Sequence, residues 1–381
     1  MENARARLVI SGLPLANLNV GQGAYTYRII LGLLRRAPEF SFRIIVPRHF
    51  DLPSEIPEEL LVRLDGWRGP RLALLNGIYW SQRILAHARK LPPDAVFHSP
   101  TPIVGFGRPA RTVVTIHDVL YHTFPEYYGR SGIRRLNMLA TERYAARATL
   151  VLTQSKFSRE DIAIKSPIPR EKLRILSPWV DESFFHVADG EVQRVRDKFR
   201  LPQRFWLYLG GYDRRKNVEF LLHAYASACH ERRDVPPLVL AGEIPSQRDA
   251  VTCDIRGAIR RADLKTDAIL LPGTIPLKDL PAFYRASSLL IYPSLMEGFG
   301  LPPAEAMAVG TPLLAANNSS LPEVVEKREC LFNTIDPMEL TSKFLLATQN
   351  EEQFVAKLPF TFREKFGIQR YLELISEAAA A

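Results

Sequence analysis

The chain has 381 residues, 46% of them hydrophobic and 24% charged, with a formal net charge of +9. That length is more than one core comfortably serves and points to two domains, while the composition is that of an ordinary globular protein rather than a disordered one. No apolar run reaches the length of a membrane span, Met1 to Arg7 carry no apolar signal segment, and Cys229, Cys253 and Cys330 lack metal-ligand or disulfide-framework spacing. The expectation is therefore a cytoplasmic protein with reduced thiols, whose positive charge suits an anionic partner without choosing among phospholipid, nucleotide, polyphosphate lipid and nucleic acid.

Taken in order, Leu8-Val9-Ile10 reads as a short buried strand, and an extended loop leads to Gly21-Gln22-Gly23. Helical apolar spacing follows over 24–36, at Tyr27, Ile30, Leu31 and Leu34. Strand, glycine turn and helix form the plan of a nucleotide-binding α/β unit, although Gly-x-Gly by itself is as well explained by a tight turn. Strands at 42–46, 60–64 and 95–98 alternate with a helix near 71–90, which is the pattern of an open α/β sheet. The β-branched run Thr112-Val113-Val114-Thr115-Ile116 ends in His117-Asp118, at the carboxyl end of a strand, where such sheets bind ligands. His98, before Ser99-Pro100, is a weaker candidate of the same kind. After Phe124-Pro125-Glu126-Tyr127-Tyr128 comes a basic helix near 131–147, then strands at 149–153 and 173–176. The sequence turns charged and irregular after Pro178, and the interdomain linker is expected at 181–203.

The pattern restarts with the strand Phe205 to Leu209, followed by Gly210-Gly211-Tyr212-Asp213-Arg214-Arg215-Lys216-Asn217. Two glycines and a cationic cluster ahead of a helix make a phosphate nest, with Asn217 expected to cap the helix that carries Val218, Leu221, Leu222 and Tyr225. A solvated basic turn would read the same way locally. Strands at 238–241 and 268–271 and a short helix at 280–286 lead to the strand 288–292. That strand runs into Pro293-Ser294-Leu295-Met296-Glu297-Gly298-Phe299-Gly300-Leu301-Pro302-Pro303-Ala304-Glu305. Pro302 and Pro303 suit the first turn of a helix that Gly310-Thr311-Pro312 stops. Gly298 and Gly300 permit close backbone approach, and the helix N-terminus adds positive potential for an anion such as a diphosphate. Two carboxylates beside a diphosphate would repel it, so Glu297 and Glu305 are expected to face hydroxyls. Anion and hydroxyls together describe a nucleotide sugar. A final helix near 338–348 and an amphipathic tail over 360–380 close the chain.

The stretch from Glu297 to Glu305 resembles the E-x7-E signature of retaining glycosyltransferases of the large GT4 family. The resemblance extends to Thr115-Ile116-His117-Asp118, to Ser155-Lys156-Phe157-Ser158, to Arg215-Lys216-Asn217 and to Ser319-Ser320-Leu321-Pro322-Glu323-Val324, and it is nearest to bacterial mannosyltransferase-like members. It departs at Gly211, where some relatives carry a phosphate-binding arginine, and at Arg214, where many have proline. The resemblance implies the α/β GT-B fold, two Rossmann-like domains facing across a donor-binding cleft. It divides the chain into an acceptor domain at 1–180, a linker and nucleotide-sugar domain at 181–358, and a helix at 359–381 crossing back to the first domain. It implies His117, Glu297, Lys216 and Arg215 as catalytic residues. Donor binding falls to Gly21, Gly23, Gly210, Gly211, Gly298, Phe299, Gly300, Leu301 and Glu305, with Glu305 on the ribose and the 298–300 backbone on the sugar.

The activity so implied is retaining transfer of a hexose in surface polysaccharide synthesis, with GDP-mannose as first donor and a UDP-hexose as second. The acceptor is a glycan or a polyprenyl-diphosphate-linked glycan. No cofactor and no metal are expected, since no Asp-x-Asp pair is present. A GT-B epimerase or phosphorylase would share the architecture, and a nucleic-acid binder would share the charge but lacks a recognition motif. Aromatic and basic residues in the first half (Trp67, Arg68, Arg71, Arg83, Arg89 and Lys90; Tyr127, Tyr128, Arg130, Arg134, Arg135, Arg143 and Arg147) suggest a peripheral seat on an anionic membrane surface, at the inner face of the plasma membrane.

Overall fold

The computed structural model describes residues 7–18, 21–66, 73–103, 105, 107–128, 132–244 and 251–381. It divides into two compact units: Met1–Pro178 together with Glu364–Ala381, and Trp179–Arg363. Trp67, Arg68, Arg71 and Arg130 of the basic groups lie outside the described residues, as does the side chain of Arg134.

The first unit is built on seven parallel strands: β1 (Leu8–Ser11), β2 (Phe42–Pro47), β3 (Leu61–Leu64), β4 (Val96–Ser99), β5 (Arg111–Thr115), β6 (Leu150–Thr153) and β7 (Leu173–Ile175), in the order β3-β2-β1-β4-β5-β6-β7. Its central strands are apolar on both faces, as helix-covered parallel strands must be, and every residue of β1, β4 and β6 is buried. The order reverses between β1 and β4, which makes their carboxyl ends the crevice of this sheet.

The helix after β1 is Gly21–Arg36. Gly21 and Gly23 are therefore its first turn, three residues ahead of the expected start, and the presumed extended loop contains a 3₁₀ turn, Leu13–Ala16. The reason is close packing. A Cβ on Gly23 would stand 2.0 Å from the Asn17 carbonyl oxygen, so only glycine lets the helix begin against that turn.

The last helix, Glu364–Ala380, belongs to this unit. Arg35 and Arg36 at the end of the first helix hold its first residue, Glu364, at 3.3 and 3.1 Å. Tyr371, fully buried, meets His98 at 2.8 Å.

The second unit carries β8 (Trp206–Leu209), β9 (Leu238–Ala241), β10 (Ile269–Gly273), β11 (Leu289–Tyr292), β12 (Leu313–Ala316) and β13 (Leu331–Phe332), in the order β10-β9-β8-β11-β12-β13. The helices Val218–Glu231 and Pro337–Gln349 pack together over it, with Phe344 against Trp206 at 4.9 Å between rings. The stretch 181–203, expected as a linker, is instead part of this unit. It forms the 3₁₀ turn Glu182–Phe185 and the helix Asp189–Phe199, whose Val195 is fully buried. Its charges have partners inside: Arg194 and Lys198 hold the fully buried Asp279 at 2.9 and 2.6 Å. Charge made this helix look like solvent-exposed linker, whereas it buries Val195 and turns Arg194 and Lys198 onto a buried acid.

Candidate active site

In the second unit the sheet reverses between β8 and β11, which lie side by side with Trp206 opposite Leu289. The glycine and cation segment follows β8, and the segment with Glu297 follows β11. Parallel neighbours deliver both to the same sheet edge, although some eighty positions separate them in sequence.

There they interlock. Lys216 Nζ donates to Glu297 Oε1 at 2.7 Å and to Tyr292 Oη at 2.8 Å, and Tyr292 donates to the same Glu297 oxygen at 3.0 Å. Arg215 Nη1 donates to Glu297 Oε1 at 3.0 Å and to the Met296 carbonyl at 3.1 Å, while its Nε faces Asp213 at 2.9 Å. The Leu295 N–H donates to the Arg215 carbonyl at 2.7 Å.

Lys216 and Glu297 are 8% exposed each. Burial opposes ionisation of the Glu297 carboxyl, and Lys216 and Arg215 more than reverse that, holding it at about 2. Burial also brings the Lys216 ammonium below its usual range, with the Glu297 carboxylate acting against that fall. Removing one member of such a buried pair costs about 3–5 kcal/mol, because the other charge is left uncompensated.

The loop around Glu297 is clamped from β12's side. Ser320, fully buried, sets its one hydroxyl hydrogen between the carbonyls of Glu297 and Phe299, at 2.9 and 2.8 Å, and the Glu297 N–H donates to Ser319 Oγ at 3.0 Å. Gly300 has φ +105° at the N-cap of the helix Leu301–Val309, and a Cβ there would meet Leu321 Cδ2 at 2.5 Å. Phe299 turns its ring into the core against Phe362, so only its backbone is at the site. Glu305 is the fifth residue of that helix, 3% exposed, and accepts from Tyr284 Oη at 2.9 Å. Asn217 sits at φ +57° ahead of its helix without a side-chain capping bond, so the expected Asn217 cap does not form. Gly210 and Gly211 lie just beyond β8, and Tyr208 Oη donates to the Gly211 carbonyl.

In the first unit His117 stands two residues past β5, the Ile116 N–H still bonding to Leu152 across the ladder at 2.9 Å. His117 Nε2 faces the Pro100 carbonyl at 3.1 Å, and Tyr25 of the Gly21–Arg36 helix meets its ring edge-on at 5.0 Å. Burial lowers its pKa to about 4. His98 is a core residue: fully buried, bonded to Tyr371 Oη and to Thr115 Oγ1 at 2.8 and 3.0 Å, and pushed by burial to about 3.

The structure thus gathers Lys216, Arg215, Glu297 and the 298–301 backbone at one sheet edge of the second unit. It leaves Gly21, Gly23 and His117 at the corresponding edge of the first. Tyr292, Asp213, Ser319, Ser320 and Tyr284 join the site without having been read as site residues. Tyr292, the last residue of the strand before the motif, and Asp213, Ser319 and Ser320, each inside a segment already singled out, carried a positional signal, and Tyr284 carried none.

Two parallel-sheet α/β units in one chain, each presenting loops at the carboxyl ends of its strands, are the architecture of the GT-B fold. Family descriptions agree: Glycosyltransferase Family 4 matches residues 20–184, and Glycosyl transferases group 1 matches residues 190–365. The chain belongs to the GT4 family. It is 30% identical over 259 residues to the O-antigen chain mannosyltransferase B of Escherichia coli, a match spanning 68% of this chain and 66% of that one. It is 31% identical over 238 residues to the serotype-specific mannosyltransferase WbdA of Escherichia coli, spanning 61% of this chain and 28% of the relative. The chain therefore covers just under two thirds of the first relative and under a third of the second. Among solved structures, Anabaena HepE in complex with UDP and glucose superposes with a TM-score of 0.71 at 16% identity, covering 97% of this chain and 99% of that one, a likeness of fold.

Proposed function

We propose that this chain is a retaining hexosyltransferase that takes mannose from GDP-mannose, or failing that a hexose from a UDP-hexose, and places it on a glycan or lipid-linked glycan during surface polysaccharide synthesis. The observation that carries this reading is the buried Lys216–Glu297–Arg215 cluster at the reversal point of the second sheet, beside the N-terminus of the helix Leu301–Val309. Two relatives named as mannosyltransferases support mannose, and HepE, a neighbour in fold, holds UDP and glucose.

On this reading a departing diphosphate gathers negative charge in the transition state. Lys216 has a third ammonium hydrogen beyond those given to Glu297 and Tyr292, and that hydrogen is suited to a phosphate oxygen. Because Lys216 is already anchored, little reorganisation accompanies the charge. Arg215 spends Nε and Nη1 on the cluster and so keeps the Glu297 loop in place. The helix N-terminus adds to the same field. Glu305 holds ribose hydroxyls, Glu297 and the 298–300 backbone hold the sugar, and His117 serves the acceptor side. Retention follows from front-face displacement, with the leaving phosphate oxygen taking the proton of the acceptor hydroxyl. The positive charge in this scheme is the protein's own, and transfer proceeds without a divalent metal.

Among the described residues no helix is long and apolar enough to cross a membrane. We place the protein peripherally on an anionic membrane face through the exposed Arg135, Leu136, Arg143 and Arg147 of the helix Gly132–Ala146 and its end.

A thermal-shift series with GDP, UDP, ADP and dTDP sugars, each with and without EDTA, tests the reading. A true donor at a hundred times its Kd stabilises the fold by about 2.7 kcal/mol. GDP-mannose is expected to raise the melting temperature most, in EDTA as well. A silent series would overturn the donor reading, and a shift abolished by EDTA and restored by Mg²⁺ would overturn metal independence.

A further inference from the structure

Directly after His117-Asp118 the chain enters a short helix, Leu120–Thr123. Two of its residues reach the same buried acid. Tyr121 Oη donates to Glu142 Oε1, and His122 Nε2 meets that oxygen at 2.9 Å. Glu142 comes from the helix Gly132–Ala146 and its side chain is 2% exposed, whereas the His122 side chain is 27% exposed. The neighbouring Thr123 is tied down by Lys165, which donates to Thr123 Oγ1 at 2.8 Å while pairing with Asp161 at 2.6 Å.

A carboxylate can only accept, so His122 Nε2 carries a hydrogen, and in the neutral ring the lone pair is left on Nδ1. Nδ1 has no hydrogen-bond partner among the described residues, and the ring is part-exposed. Glu142 Oε2 is likewise buried without a hydrogen-bond partner there. An unpaired buried acceptor costs about 1–3 kcal/mol, so the fold holds Glu142 in this place at a cost. Here one oxygen of a buried carboxylate takes both Tyr121 and His122, an arrangement that fixes the tautomer and direction of the imidazole. His117 follows the same rule: its Nε2 is occupied by the acceptor-only carbonyl of Pro100. Two histidines five positions apart, with Asp118 between them, stand past the carboxyl end of β5 with their Nε2 edges pinned.

We propose that His122, held by Glu142 and Tyr121, is a binding residue for a carbohydrate acceptor, taking a hydrogen bond from a sugar hydroxyl through Nδ1. The proposal rests on the glycosyl-transfer reading, for which it names the hydroxyl-recognising group of the first unit. Glu142 and Tyr121 are positioning residues that act through His122.

The test uses full-length protein with labelled histidines, titrated in the magnetic resonance spectrometer with methyl α-D-mannopyranoside and, separately, with GDP. The glycoside is expected to move the His122 ring signals saturably, and GDP to leave them in place. His122→Ala should weaken glycoside binding by about tenfold, the loss of one hydrogen bond to a well-placed partner. His122→Gln, which keeps an acceptor oxygen, should recover most of it, and Glu142→Gln should lose affinity by altering the His122 tautomer signature. Melting curves identify which variants are folded. A glycoside that leaves His122 signals unmoved, or binds His122→Ala as tightly as wild type, overturns the proposal. If no nucleotide sugar stabilises the protein but the glycoside still binds through His122, the carbohydrate site stands and the donor reading falls.

Discussion

The two units share one plan and furnish it with opposite chemistry. Each is a parallel sheet whose order reverses beside its first strand, and each sends its informative residues past the carboxyl ends of its strands, β8 and β11 at the reversal in the second unit, β1 and β5 in the first. In the second unit those residues are charged and locked together: Lys216, Arg215 and Glu297, with the carboxylate held at about 2. In the first they are a glycine-started helix and His117, which burial keeps uncharged down to about pH 4. The difference teaches that the fold supplies a place while side-chain electrostatics decide what can occupy it. A fixed positive field suits a leaving diphosphate, and oriented lone pairs suit a neutral hydroxyl.

Lys216→Ala is the strongest way to break that contrast. Turnover should fall by at least about two orders of magnitude, as when one preorganised donor is removed, and steady-state kinetics on folded protein would show it. Unchanged turnover would take Lys216 out of the phosphate role.

Glu305→Ala and Glu297→Ala sharpen the picture within the second unit. Calorimetry should show Glu305→Ala weakening both the free nucleoside diphosphate and the sugar donor. Glu297→Ala should spare the diphosphate and lose the sugar contribution, at a cost in stability from the cations it strands. Equal losses of diphosphate affinity in both would sink the division of labour.

The pH response separates the units next. His117 folds with a pKa of about 4, below the 6.5 of a free imidazole, so the unfolded chain binds more protons between those values. Its contribution is therefore complete above about pH 6.5 and lost as pH falls toward 4. Glu297 is depressed from 4.5 to about 2, so its contribution is complete above about 4.5 and lost toward 2. Acidification should thus weaken the first unit before the second, which hydrogen exchange resolved by region would reveal. His117 signals titrating near 6.5 would refute the burial argument.

The smallest effect concerns the surface. Sedimentation with phosphatidylglycerol vesicles at low salt should carry the protein down, salt should release it, and Arg135→Glu with Arg143→Glu should weaken the binding. Protein that stays in the supernatant at low salt would make that basic face ordinary surface.

Much of the fold was legible because buried parallel strands are continuous apolar runs. The strands at 205–209 and 288–292 announced themselves in this way, and Glu297 to Glu305 stood out by spacing. Three things were hidden. The strand Leu331–Phe332 has two residues and no periodicity to read. The helix Asp189–Phe199 was masked by charges whose partner, Asp279, lies far along the chain. The pairing of His122 with Glu142 is made by a crossing of two helices, and neither residue type announces a partner twenty positions away. Elements with a long apolar pattern are local and were readable; short elements and tertiary partnerships were not.

The returning helix Glu364–Ala380 also dictates the order in which the protein can be made. The second unit is one unbroken stretch, closed where Val180 N–H bonds to the Phe362 carbonyl at 2.9 Å, and it is complete once residue 363 has left the ribosome. The first unit, begun earlier, is still missing Tyr371 from its core and Glu364 from Arg35 and Arg36 at that moment. Its synthesis starts first and its folding finishes last, so translation exposes an unfinished apolar sheet for the time needed to make the whole second unit. A nascent chain stalled before residue 364 should therefore hold chaperones on its first half while its second half already resists protease.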